Sequence, residues 1–416
     1  MFKENFSLKS IELHEKRVIR DVIHDYIYID HLLIWNLINT KEMQRLRRIK
    51  QLGSTSLVFQ GAEHSRFVHS LGVYQVIRFM LETECLKDYL SDYDKLCVMC
   101  AGLLHDIGHG PFSHTFEHLF DMNHEDMSIR ILLEDSEVHT LLSSLHEDLP
   151  KDIASIINHT HENKVLIQMV SSQLDADRMD YLLRDSYMSG VTYGHFDMSR
   201  ILRTMRIHND RIVYKISGVQ AIENYILARY HMYWQVYLHS TTRSYEHVLS
   251  CLCQRVKDLY NGGYCFHTDI KYLYPFLNHN ISVHDYIMLD ETVMYYYFKE
   301  FENEDDEILK DLSSRLLNRR LFKYVSYKDD TYLNKIKVLS SNKGFIPQYY
   351  VRDDELTKIP YMHYGVKGEL EEIEIIDEDN IYSLPQVSEI VLALVKSNKY
   401  KHDKKVFFVK EIKDEL

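Results

Sequence analysis

Apolar positions recur three and four residues apart through most of the first two-thirds of the chain, the spacing that gives a helix one apolar face. The pattern predicts helices at 40 to 51, 69 to 84, 93 to 107, 123 to 134 and 150 to 159, then in pieces from 163 to 188. Long aromatic-rich helices are predicted at about 218 to 260. Two stretches break the helical pattern. RVIRDVIHDYIYID, residues 17 to 30, is rich in strand-favouring side chains and predicts a short hairpin. RIHNDRIVYKIS, residues 206 to 217, predicts a hairpin turning at Asn209-Asp210. Beyond about residue 290 the texture changes. Short strand-like pieces (FKYVSY, IPQYYV, EIEII, KVFFVK) alternate with helical ones such as 384 to 397, and acidic runs at 302 to 307 and 371 to 379 read as solvated faces. The expected fold class is mainly α: a helical core with small β-hairpins over residues 1 to 290, and a smaller α+β lobe over 291 to 416 serving oligomerisation or regulation.

Composition narrows the picture. A chain of 416 residues with 45% hydrophobic content can bury a full core, as one large domain or two ordinary ones. No run of 18 apolar residues exists, so no membrane span is expected. The opening MFKENFSLKS lacks the apolar centre of a signal peptide, and the expected location is cytoplasmic. A net charge of −13 repels a polyphosphate backbone, which makes nucleic acid an unfavourable partner, yet it leaves room for a local basic pocket. The six cysteines read as reduced thiols. Cys97 and Cys100 have CxxC spacing but lie in an apolar helical stretch with no second pair, the setting of ordinary buried cysteines.

The densest chemistry lies in LLHDIGHGPFSHTFEHLF. His105 and Asp106 end an apolar helix, and both can reach an ion just beyond it. His69, in HSRFVHSLG, and Asp177, in LDADRMDY, offer the remaining ligands of a His2Asp2 site built from several helices. Imidazole nitrogen and carboxylate oxygen together suit one divalent cation, and Mn, Mg, Fe, Ni and Zn all fit that donor set. The four ligands leave coordination positions for a phosphate oxygen and a water. Around them, His109, His114 and His124 can donate to phosphate and exchange protons near neutral pH. Glu117 follows His114 by three residues and can orient it. Arg66, three residues before His69, can grip phosphate.

These residues fall in motifs that resemble a family. QRLRRIKQLGSTSLVFQGAEHSRFVHSLG, LLHDIGHGPFSHTFE, LDADRMDYLLRD and RRLFKYV resemble the HD-domain deoxynucleotide triphosphohydrolases, a group that spans bacterial dGTPase-like proteins and the animal SAM-and-HD-domain dNTPase. The likeness is strong from about residue 15 to 250 and weak to about 330. It implies an HD-domain helical core and hydrolysis of a dNTP to deoxynucleoside and inorganic triphosphate, with a cation at the α-phosphate. It implies His69, His105, Asp106 and Asp177 as ligands and His109, His114, Glu117 and His124 as the catalytic shell. The family often has Asp where this chain has Glu117. Arg66, Arg178 and Arg229 are implied as phosphate contacts, with Lys replacing Arg178 in the animal enzyme. Gln51 and Asp185 are implied at the sugar 3′-OH, Leu52 and Tyr237 as a wall behind its 2′ carbon, and Tyr181 beside the sugar and phosphate. A wall of this kind rejects ribose by clash and by stranding its extra hydroxyl.

Several relatives are nucleotide-activated homotetramers, which implies a homo-oligomer here and a nucleotide activator near Asn39, Gln44, Arg47 and Arg200. Asn39 stands where the family has a guanine-reading Asp, which puts guanine specificity in question. Two other readings stay open: an HD phosphohydrolase of another nucleotide, and a non-catalytic nucleotide sensor.

Overall fold

The computed structural model describes residues 2–356, 372–397 and 403–416; residue 371, the first of the second acidic run, and the side chain of His114 lie outside that set. The chain is mainly α, 58% helical and 13% strand. Helix Arg66–Leu81 runs through the centre. Phe67, Leu71, Val73, Tyr74, Val76, Ile77 and Met80 bury its flanks on nearly every side, as expected of a helix enclosed by others. Helices Asp92–Leu104 and Ala176–Ser189 pack directly against it.

Local signals set where these helices begin and end. The Ser91 hydroxyl accepts from the Asp94 amide and opens Asp92–Leu104. Asp175 caps Ala176–Ser189 through the Arg178 amide, and Gly190, left-handed at φ 71°, closes it. The Asp92–Leu104 helix stops three residues short of the predicted end at 107. Beyond it Ile107 N bonds Leu104 O and His109 N bonds Asp106 O, a tighter winding that turns His105, Asp106 and His109 toward one place.

The predicted hairpins are present. Glu12–Asp21 pairs antiparallel with Asp25–His31. Met205–His208 pairs with Arg211–Lys215 through Asn209 (φ 49°) and Asp210 (φ 57°), two successive left-handed residues that suit a twisted two-residue turn. Strand Glu374–Asp377 extends that second hairpin in parallel, and Asn380–Ser383 lies outside it, so the last third of the chain completes a sheet begun in the core. A second sheet has Asp403–Phe408 between Lys323–Ser326 and Val351–Leu356. IPQYYV differs from its predicted strand: Pro347 starts a short helix, Pro347–Tyr350, and the strand follows it. Arg243 on helix Ser240–Asn261 pairs with Asp354 at 2.7 Å and Asp403 at 2.9 Å, which ties this sheet to the core.

Gly108 sets how closely the next helix approaches. Its amide donates to Ser128 Oγ at 2.9 Å, and a Cβ at this position would meet His124 O at 2.2 Å and Ser128 N at 2.3 Å. These are backbone atoms, so the His124–Leu133 helix would have to move. Gly108→Ala is expected to cost about 1–3 kcal/mol or more in urea unfolding; an unchanged midpoint would contradict this packing.

Candidate metal and phosphate site

Helix Arg66–Leu81 supplies His69, the end of Asp92–Leu104 supplies His105 and Asp106, and the first turn of Ala176–Ser189 supplies Asp177. The fold draws these four together. His69 Nε2 is 3.0 Å from Asp177 Oδ1 and 3.8 Å from Asp106 Oδ2. His105 Nε2 is 3.3 Å from Asp106 Oδ1 and 3.6 Å from Asp177 Oδ1. His69, His105 and Asp106 form a group whose ligand atoms lie close enough to hold one ion.

Each imidazole is turned by its other nitrogen. His105 Nδ1 lies 2.8 Å from Gly102 O and His69 Nδ1 lies 2.8 Å from Asp180 Oδ2. Both acceptors call for a proton on Nδ1, so Nε2 is the atom of each ring that faces the carboxylates and that a cation could take in place of a proton. His105 Nε2 is buried without a hydrogen bond, a buried acceptor that a divalent cation would satisfy.

The electrostatics lead to the same conclusion. Burial opposes a charged His69, but hydrogen bonds to Asp177 and Asp180 outweigh it and hold its pKa up at about 10. Burial pushes the other way on Asp177, yet His105 and His69 hold it below the usual carboxylate range. Asp106 is likewise held well below that range by His105, Arg66 and His109 against burial. Imidazole protons here balance buried carboxylates, the place a metal cation fills when it displaces them.

Beside this cluster, the His109 and His124 rings stack at 3.8 Å with 14° between planes. Glu117 lies between their Nδ1 atoms, 3.2 Å from His109 and 3.1 Å from His124. Spacing pointed Glu117 at His114, whose side chain lies outside the described residues; the described partners of Glu117 are these two rings. The break after His109 brings the helix that carries Glu117 back to these rings. Phe112 (φ 57°) and Ser113 (φ 50°) are both left-handed and re-aim the helix that carries Glu117. Arg66 holds this break, with Nη1 2.5 Å from Asp106 Oδ2 and Nη2 2.8 Å from Ser113 Oγ. Burial first, then Arg66, press the His109 pKa down to about 4, so this ring is uncharged at neutral pH.

The expected substrate contacts fall around the same region, most of them already engaged. Tyr181 stands 6.4 Å from the His69 ring and 6.1 Å from the Tyr237 ring. Tyr237 belongs to a π-helical turn, Tyr233–Tyr237, and donates to Asp185 Oδ2 at 2.8 Å. The other oxygen of Asp185 is 2.8 Å from His64 Nε2. Gln51 Oε1 is buried without a partner, and Leu52 is half-buried beside it. Arg178 is paired with Asp175 and Ser172 O, while Arg229 gives Nη1 to Gln173 at 2.8 Å and keeps a buried Nε without a partner.

The expected activator residues are local to the start of helix Lys41–Arg45. Asn39 Nδ2 donates to Trp35 O, Gln44 Nε2 to Ile38 O, and Arg47 Nε to Gln44 Oε1. Arg200, on helix Met198–Thr204, instead donates to Ser217 O. Sequence reading missed Asp180, His64, Ser113 and Asp175. Only Asp180 and Asp175 left a signal, as flanking carboxylates in LDADRMDY.

Comparison with known proteins accords with this geometry. Residues 66–185 match the HD domain, and residues 196–261 match the HD associated region. The uncharacterized protein YwfO of Bacillus subtilis is 43% identical over 96% of this chain and 94% of its own length. A Dictyostelium discoideum protein named deoxynucleoside triphosphate triphosphohydrolase SAMHD1 homolog is 33% identical, over 56% of this chain and 48% of that one. A crystal structure of a phosphohydrolase from Bacteroides thetaiotaomicron superposes with a TM-score of 0.84 at 30% identity, covering 95% of this chain and all of that one. No helix among the described residues is long and apolar enough to cross a membrane. With motif, cluster and whole-chain likeness in agreement, the chain belongs to the HD-domain phosphohydrolase family.

Proposed function

We propose that this protein hydrolyses deoxynucleoside triphosphates to deoxynucleoside and inorganic triphosphate, with one divalent cation held by His69, His105, Asp106 and Asp177. The observation that carries the reading is the convergence of two outward-turned Nε2 atoms and two carboxylates, next to a stacked histidine pair buttressed by one glutamate. The named activity of the Dictyostelium relative supports the choice of substrate. When bound, the cation supplies Lewis-acid polarisation of a phosphoryl oxygen and acidifies a water.

The protein's own groups do the rest. Asp180 and Gly102 O keep His69 and His105 in the tautomers that bind. Arg66 fixes Asp106 and the strained Phe112–Ser113 turn at once. Glu117 accepts from His124 Nδ1 and stands 3.2 Å from His109 Nδ1, while His109 Nε2 lies 3.3 Å from Asp106 Oδ1; in this reading uncharged His109 takes the proton of water, and His124 delivers one from Nε2 to the departing O5′. Atoms balance: water adds to the α-phosphorus, the bond to O5′ breaks, and O5′ leaves as the hydroxyl of the deoxynucleoside. Arg229, with an unused Nε, and Arg178 hold the phosphates. Gln51 and Asp185 take the 3′-OH, and Leu52, Tyr181 and Tyr237 close around the sugar.

A homo-oligomer in the cytoplasm, with an activating nucleotide near Asn39, Gln44 and Arg47, belongs to the same reading. Asn39 spends its amide on Trp35 O, so a base there is read without a carboxylate.

Purified protein with Mn2+ and a mixed dNTP pool is expected to release deoxynucleoside and triphosphate in equal amounts, separated by chromatography. Asp177→Ala is expected to lose both turnover and bound Mn2+. Orthophosphate or a monophosphate among the primary products would contradict the reaction. In the same assay dATP is expected to outrun ATP by about a hundredfold in kcat/KM, the scale on which a tight site rejects an added hydroxyl. Similar rates would remove Leu52 and Tyr237 from sugar selection.

A further inference from the structure

The turn of the N-terminal hairpin is held against the candidate metal site by a continuous chain of buried polar contacts. Asp21 Oδ1 accepts from the amides of Ile23 and His24, each at 2.9 Å, and Asp25 is left-handed at φ 62°. This tight turn drives His24 inward until its ring is nearly inaccessible. His24 Nε2 then lies 2.6 Å from Asp180 Oδ1. The other oxygen of the same carboxylate lies 2.8 Å from His69 Nδ1. Arg184, one helical turn beyond Asp180, closes a loop: its Nε and Nη2 each reach Asp180 at 2.9 Å, and its Nη1 reaches Asp21 Oδ2 at 2.8 Å.

A second observation concerns helix Arg66–Leu81. Gly72, one turn after His69, faces this carboxylate. A Cβ there would meet Asp180 Oδ1 at 1.9 Å and Arg184 Nη2 at 2.5 Å. A bare backbone at this point of an otherwise well-filled helix is what admits Asp180 and Arg184 behind His69.

We propose that His24 is a positioning residue for the metal site: through Asp180 it fixes the ring of His69, so that the Glu12–His31 hairpin and the bound cation stabilise one another. The inference rests on the metal reading given above. A ligating imidazole needs the proton on its far nitrogen and a fixed acceptor for it. Asp180 is that acceptor for His69. Without His24, Asp180 Oδ1 keeps only one of its two contacts, Arg184 Nη2, so the carboxylate that orients His69 is held from the Arg184 side alone and His69 is fixed less firmly. Plain packing of the hairpin on the core would make the same hydrogen bonds, but it would not couple them to the cation.

Coupling is reciprocal, which permits a test on unaltered protein. Hydrogen exchange of amides 19 to 28 is expected to slow when Mn2+ is added to the metal-free wild type. In parallel, Mn2+ affinity is measured by competition with a chelator. His24→Leu is expected to bind Mn2+ about tenfold more weakly than wild type, whereas His24→Gln, which keeps a donor, stays within about twofold. The melting temperature of each metal-free variant reports the packing contribution separately. Hairpin exchange indifferent to Mn2+, or wild-type affinity in a folded His24→Leu, would overturn the relay and leave the metal site standing. Wild-type protein that takes up no Mn2+ would overturn the metal site first, and the relay with it.

Discussion

Carboxylates around two imidazoles, with Asp106 and Asp180 buried and Asp177 31% exposed, are the constraint on which the rest of this structure turns. Asp106, Asp177 and Asp180 all sit within hydrogen-bond or ion-pair reach of His69, at the centre of the helical core. Removing charged groups from water is expensive unless each one is answered nearby. Asp180 is answered by Arg184 and His24, and Asp106 by Arg66. Among the described residues partly exposed Asp177 is faced by the two imidazoles, and buried His105 Nε2 stands 3.3 Å from Asp106 and 3.6 Å from Asp177 outside good hydrogen-bond geometry. The imbalance is local and faces one point, and a divalent cation is the simplest group that resolves it.

The surrounding fold follows from holding that point still. Three helix ends must meet there, so their caps, breaks and glycines are placed accordingly. Asp175 starts a helix so that Asp177 lies in its first turn. Winding tightens after Leu104 so that neighbours His105 and Asp106 share a direction. Left-handed Phe112 and Ser113 are an expensive local geometry, and they are held by Arg66 and by Glu291, which accepts from the Phe112 amide. Burial raises the Glu291 carboxyl to about 7, the mark of a group kept inside to serve that turn and the Lys50 amide.

Much of this was legible in the sequence because metal chemistry restricts residue types. His-Asp at the end of an apolar helix, with HGP after it, is a local signal, and the helical periodicities gave most element positions within a few residues. The hairpin at Asn209-Asp210 was legible for a similar reason, since few residues tolerate that turn. What stayed hidden depends on contacts between distant segments. His24 and Asp180 are separated by 156 positions, and no spacing rule connects them. The parallel pairing of Glu374–Asp377 with Arg211–Lys215 is equally remote. Helical spacing relates Glu117 to His114, whose side chain lies outside the described residues, but no spacing rule showed that Glu117 also stands between His109 and His124. Pro347 reversed a strand prediction because its ring suits the first turn of a helix.

The central claim is that one cation occupies the space between His69, His105, Asp106 and Asp177. Anomalous diffraction at the manganese edge, from crystals grown with Mn2+, addresses it most directly. The account predicts a single strong peak per chain, bonded to both Nε2 atoms and to an oxygen of each carboxylate. A map with its peak elsewhere, or with none at saturating Mn2+, would contradict it.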